Sequence, residues 1–131
     1  MILLVILFAN CNSQNAANEQ PATSIVTTKT TPPNQELQVG GLYVVKDKTN
    51  SYYITKILAM DDFAVHLRTY LNEFTTIPSQ ISSDTLKVLI GHAPIARKGF
   101  LIDSPSLIKV EKVKESELEG YKIYLEEMSK E

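Results

Sequence analysis

The chain has 131 residues, 44% hydrophobic and 21% charged, which leaves room for one ordinary globular domain. A formal net charge of −2 and a sequence pI near 5.7 provide no basic footprint to neutralise phosphates, so no nucleic-acid partner is expected. One cysteine and two histidines far apart in sequence allow no internal disulfide and no cluster at metal-ligand spacing, so neither a metal nor a cofactor is expected.

Ile2 to Ala9 is wholly apolar. It is far short of the ~20 residues that span a bilayer and matches the h-region of an export signal, about 7–15 residues. The run ends in Phe8-Ala9-Asn10-Cys11, which resembles a bacterial lipoprotein signal, where a peptidase cuts before a cysteine that is then acylated. Asn10 stands where that pattern has Gly, Ala or Ser, and the usual basic n-region is missing. The resemblance implies a lipid on Cys11, membrane attachment and a place in the bacterial cell envelope, on the periplasmic or outer-membrane face. Residues 12–35 are nearly all Asn, Gln, Ser, Thr, Ala and Pro, with Glu19 and Lys29 as the only charges. Such a segment buries too little apolar surface to offset about 1–2 kcal/mol of backbone entropy per residue, so it reads as a disordered tether. The expected layout is a signal over 1–11, a linker over 12–35 and one domain over 36–131.

Gly40-Gly41 opens that domain where a bend or a positive φ is needed. Leu42–Lys46, Tyr52–Leu58 and Phe63–Tyr70, the last running on to Phe74, are rich in β-branched and aromatic residues. The hairpin loop Asp47 to Ser51 and the tight turn Asp61-Asp62 divide them, which predicts a three-stranded antiparallel meander. The second run is almost continuously apolar, as in a central strand covered on both sides. Lys56 within it is expected to lie along the apolar surface and snorkel its ammonium to water, with pairing to a buried acid as the alternative. In the third run Val65, Leu67 and Leu71 share one face, and His66, Arg68, Tyr70 and Asn72 share the other.

A polar crossing loop follows, with Ile77 and Ile81 expected as anchors. Thr85–Ile90 predicts a fourth strand, Gly91-His92-Ala93-Pro94 a turn, and Pro94–Lys98 a short helix ended by Gly99. Leu107–Val113 alternates as a fifth strand. Ser116 and Glu119 have the spacing of a capping box, and Leu118, Tyr121, Leu125 and Met128 form one stripe of a C-terminal helix packed on the sheet. Gly120 costs about 1 kcal/mol against Ala inside a helix, so it marks either the tolerant first turn or a close crossing. The expected fold is α+β: a curled antiparallel sheet of about five strands, in the manner of an SH3-like partly open barrel, with the C-terminal helix upon it.

Val65 to Phe74, Ile90 to Ile95 and Glu117 to Tyr121 carry the patterns V-H-x-R-x-Y-x-N-x-F, I-G-H-x-P and E-L-E-G-Y. In these landmarks the chain resembles an uncharacterised family of small bacterial domains, over about Val39 to Tyr124. The resemblance implies a folded unit of that extent and supplies no activity.

His66, Arg68, Tyr70 and Asn72 are the candidate ligand-binding residues, joined by His92 and Arg97 if the Gly91 turn folds back. A guanidinium with neighbouring donors suits an anion or a carboxylate-bearing peptide, whereas a solvated strand face would carry the same polar residues for no purpose. No nucleophile elbow, phosphate loop or Cys–His pair is present in the domain, so no catalytic residue is assigned. The expectation is a non-enzymatic binding domain, possible in an immunity role, presenting that face or a sheet edge to a protein or peptide. A small hydrolase or lyase using His66 and His92 requires those two side chains to meet in one concave pocket. A structural component of an envelope assembly requires a large exposed apolar patch.

Overall fold

Side-chain alternation in the domain lays down five antiparallel strands: β1 (Gly41–Lys46), β2 (Tyr52–Met60), β3 (Ala64–Phe74), β4 (Val88–Ala96) and β5 (Ser106–Val110). Helices α1 (Arg97–Ile102) and α2 (Glu119–Met128) complete the α+β fold. The computed structural model describes residues 36–131; the expected signal, Cys11 and the tether over 12–35 lie outside the described residues. The strand order β4-β3-β2-β1-β5 leaves β4 and β5 as the two edges of an open, curled sheet.

Gly40 has φ +86°, and a Cβ there would stand 2.1 Å from the Glu111 carbonyl oxygen. Only glycine fits this bend, which lets Gly40 donate to the Ile57 carbonyl at 2.7 Å and accept from the Glu111 N–H at 2.8 Å. In the β1–β2 loop, Asn50 takes the left-handed conformation that asparagine tolerates.

β2 is central and covered on both faces, as its apolar run predicts. On one face Tyr43, Val45, Ile57, Val65 and Leu67 pack with Phe100 of α1. On the other, Leu42, Val44, Ile54 and Tyr70 pack beneath Ile81 and Leu86 of the crossing loop. Each fully buried aliphatic side chain of this kind contributes about 1.5–3 kcal/mol.

Four expectations are corrected. Gly91-His92-Ala93-Pro94 is not a turn: β4 runs straight through it, and the helix begins only at Arg97, with Gly99 inside it. An edge strand tolerates a proline because one of its sides has no ladder to complete. Thr85 closes a 3-10 turn over Ser83–Thr85 instead of opening the strand, and Ile77 is exposed while Ile81 anchors the loop. Ser116 does not cap a helix, because the chain already turns as a 3-10 helix over Glu115–Leu118 before α2 starts. Finally, Lys56 does not snorkel.

Lys56 is fully buried, and its ammonium donates to both Glu117 carboxylate oxygens at 3.2 and 2.9 Å and to the Lys112 carbonyl at 3.1 Å. Glu111 lies 3.7 Å away. A second Glu117 bond, from the Lys114 N–H at 2.7 Å, ties down the start of the 3-10 turn. Glu117 is therefore drawn under the helix to reach Lys56, and this fixes where α2 begins.

Candidate functional site

On the face of β3 that carries His66, Arg68 and Tyr70, the C-terminal segment lies over His66 and Arg68, while Tyr70 packs beneath Ile81 and Leu86 of the crossing loop. His66 is fully buried and both ring nitrogens are used. Nε2 lies 3.0 Å from Asp61 Oδ2, and Nδ1 lies 3.0 Å from His92 Nε2. The two imidazole planes are nearly parallel, 8° apart. Asp61 can reach His66 because its other oxygen accepts the Phe63 and Ala64 N–H groups at 2.8 and 2.7 Å, which folds the β2–β3 turn back against the strand.

α2 closes this pair from above. A Cβ on Gly120 would lie 2.7 Å from His92 Cβ, so the helix crosses β4 at the one position without a side chain. Both readings for Gly120 hold: it is the second residue of α2, within the first turn, and it lies at the close crossing. Tyr121 and Tyr124 then set their rings 4.6 and 5.0 Å from the His66 ring and 5.8 and 5.5 Å from that of His92. The expected stripe is only partly used: Leu118 and Tyr121 are half-buried while Leu125 and Met128 stay exposed, and Tyr124, outside the stripe, docks beside Tyr121.

The sequence-derived candidates divide. His66 and His92 meet. Arg97 joins them indirectly, its guanidinium Nη2 donating to the Asp61 carbonyl. Arg68 lies beside the pair, with Nε 3.9 Å from Glu117. Tyr70 is buried near Ser83, and burial, followed by the Glu117 charge, pushes its phenol up to about 12. Asn72 stands apart and accepts the Lys87 N–H at 2.7 Å. Burial acts against an ionised Glu111, yet the Ser83 hydroxyl and Lys109 outweigh it and hold the carboxyl down at about 2.

Sequence reasoning missed Asp61, Lys56, Glu117, Tyr121 and Tyr124 as parts of this arrangement. A carboxylate five residues before a histidine across a tight turn was a usable signal for Asp61. The Lys56–Glu117 pairing, 61 residues apart, left none.

No protein-family model, curated protein or solved structure matches the chain.

The three sequence landmarks nevertheless converge in space. The first lies on β3, the second on β4 and the third at the start of α2, and they meet at His66, His92, Gly120 and Tyr121. Asp61 is held ionised, its carboxyl lowered to about 2 by the His66 hydrogen bond and by the two N–H groups. That places the proton of a neutral His66 on Nε2, makes Nδ1 the acceptor for His92 Nε2–H, and leaves the His92 Nδ1 lone pair as the end of the chain. His92 borders a cleft of about 550 Å³, shared with Arg68, Ser116, Glu117 and Glu119. Among the described residues no three His, Cys, Asp or Glu side chains converge to hold a metal ion.

Burial, and secondarily the His66 charge, pushes the His92 imidazole below its ordinary value of 6.5. The unfolded chain therefore takes up more protons than the folded one as pH falls below about 6.5, and stability drops with it. Asp61 adds a second loss below about 3.8, complete near 2. Denaturant midpoints measured between about pH 7.5 and 5 are expected to fall, and the slope to flatten in His92→Phe. An equally steep slope in the variant would remove His92 as its source.

Proposed function

We propose that the chain is an exported binding domain, held at a membrane by a lipid on Cys11, that takes an extended peptide of a protein partner along β4. The observation that carries this reading is the character of that edge. β4 is nine residues long and bears no Lys, Arg, Asp or Glu, and Val88, Leu89, Ile90 and Ile95 are 39–56% exposed. Edge strands are ordinarily blunted by shortness, charge or proline. The opposite edge, β5, has five residues and carries Lys109. On β4 only Pro94 protects, and it guards the far half. An added strand would complete the ladder and cover alternate apolar side chains.

Selection of linear peptides against the purified chain tests this. Binders are expected to protect amides of Val88–Gly91 from exchange and to lose about tenfold or more in affinity with Leu89→Lys. Binders that protect other segments, or none, would refute it. The anchor has its own test: a product beginning at Cys11 with an acyl mass, lost in Cys11→Ala. Among the described residues no helix is long and apolar enough to cross a membrane, so attachment at Cys11 does not duplicate a span there.

A second reading, a small hydrolase or lyase, is favoured by one observation: the two imidazoles meet with a carboxylate behind them, the ordering of a base and its orienting group. It expects turnover of an ester or similar panel, abolished in His92→Gln while the fold persists.

A further inference from the structure

On the face of the sheet opposite the histidine pair, between β3, the end of β2 nearest its first residues, and α1, lies a cavity of about 480 Å³. Its walls are Tyr53, Leu67, Leu71, Ile95 and Phe100. This size is within the range of small-molecule sites, about 300–1,000 Å³. Two features distinguish it from an unfilled corner of the core.

The first is Thr55. It lines the cavity, is 2% exposed, and its Oγ1 has no hydrogen-bond partner. A hydroxyl buried without a partner costs on the order of 1–3 kcal/mol, and a ligand atom that bonded it would recover that cost. The second is the charge of the mouth. Asp47, Glu73 and Asp103 border the cavity, all exposed at the surface, and no lysine or arginine does. The Tyr53 phenol registers the same field: burial raises it, and the Asp103 and Asp47 charges add to the rise.

We infer that this cavity binds a small organic cation with an apolar body, which packs on Tyr53, Leu67 and Phe100, hydrogen-bonds Thr55 at its inner end, and places its positive charge among Asp47, Glu73 and Asp103. The site does not rest on peptide docking at β4, although Leu89, Ile90 and Ile95 of that strand contribute to its lining.

Three isosteric probes that carry a hydroxyl at the inner end test it by titration into isotope-labelled full chain with amide and methyl shifts as the readout: 2-(6-hydroxy-2-naphthyl)ethylammonium, the neutral 2-(6-hydroxy-2-naphthyl)ethanol and anionic (6-hydroxy-2-naphthyl)acetate. The cation is expected to give saturable shifts at Thr55, Thr69 and Phe100, and to bind about fivefold more tightly than the alcohol, with the anion weakest. That preference should shrink in salt and in the Asp47→Asn/Asp103→Asn variant. Thr55→Val should weaken binding about three- to tenfold. Gly99→Leu should abolish it by filling the cavity from α1, where a Cβ meets nothing nearer than Ile95 Cγ2 at 3.9 Å. Equal affinity for the three probes, saturable shifts that survive Gly99→Leu in a folded variant, or no saturable shift at these residues would overturn the inference. So would concentration-dependent shifts at Thr55 and Phe100 without any probe, which would mean that copies of the chain fill the groove.

Discussion

Replacing Glu117 by Ala is expected to cost about 3–5 kcal/mol in unfolding free energy, the largest loss from any single side chain in this domain. Lys56 sits in the central strand with no access to water, and Glu117 supplies two of the three hydrogen bonds to its ammonium. Glu111, at 3.7 Å, is already engaged by Ser83 and Lys109 and cannot replace it. The variant therefore leaves a buried cation with one carbonyl as its hydrogen-bond partner and Glu111 at 3.7 Å as its only remaining counterion among the described residues. The paired replacement Lys56→Met/Glu117→Leu removes both charges and is expected to recover most of the loss, short of what the Lys114 N–H contributes through its own bond to Glu117. Urea unfolding of the two variants beside the parent makes the comparison. A loss below about 1 kcal/mol in Glu117→Ala would show that Lys56 finds water or another acid.

The second large effect is expected at Gly120. In a free helix an alanine there would gain about 1 kcal/mol over glycine. Here the new Cβ would stand 2.7 Å from His92 Cβ, an atom fixed on β4 and unable to rotate away. Gly120→Val should therefore cost about 2–3 kcal/mol through overpacking, and Gly120→Ala should destabilise against its own helix propensity. The damage should be local in origin. Raising α2 withdraws Tyr121 and Tyr124 from the two imidazoles, so near-ultraviolet circular dichroism should change along with the exchange of amides in 119–128. An alanine variant more stable than the parent would mean that the helix does not sit this close to β4.

How much of this was readable in the sequence follows from the range of each interaction. β1, β2 and β3, their two hairpins and the glycine bend at Gly40 arise from neighbours a few residues apart, and alternation and turn chemistry displayed them. The crossing at Gly120 was also legible, because a glycine inside an amphipathic run needs a reason. The burial of the His66, Arg68 and Tyr70 face was not. A polar row looks the same whether water or a helix covers it, and what decides is a salt bridge between residues 61 positions apart. Gly91 to Pro94 misled for a related reason. Glycine and proline signal a turn locally, yet β3 pairs along this stretch and the free side of an edge strand excuses the proline. Of the candidate site, the meeting of His66 and His92 in one pocket was posed as a condition, and the geometry meets half of it: the rings touch, but only His92 borders the cleft, with His66 fully buried behind it; Asp61 was assigned to a turn alone, and it performs both tasks.

The Lys56–Glu117 bond also bears on the order of events when the chain is made. Synthesis delivers the lysine 61 residues before the glutamate, so a nascent chain has its whole meander before it has this counterion for the middle strand. Closing the sheet at that stage would enclose a bare ammonium, which is unfavourable by several kcal/mol. The early strands are thus held back from settling until Glu117 arrives, and a fragment truncated before it should remain open. A polypeptide that must pass through a translocation pore unfolded would gain from such a delay, because the residue that licenses folding enters after every strand of the sheet.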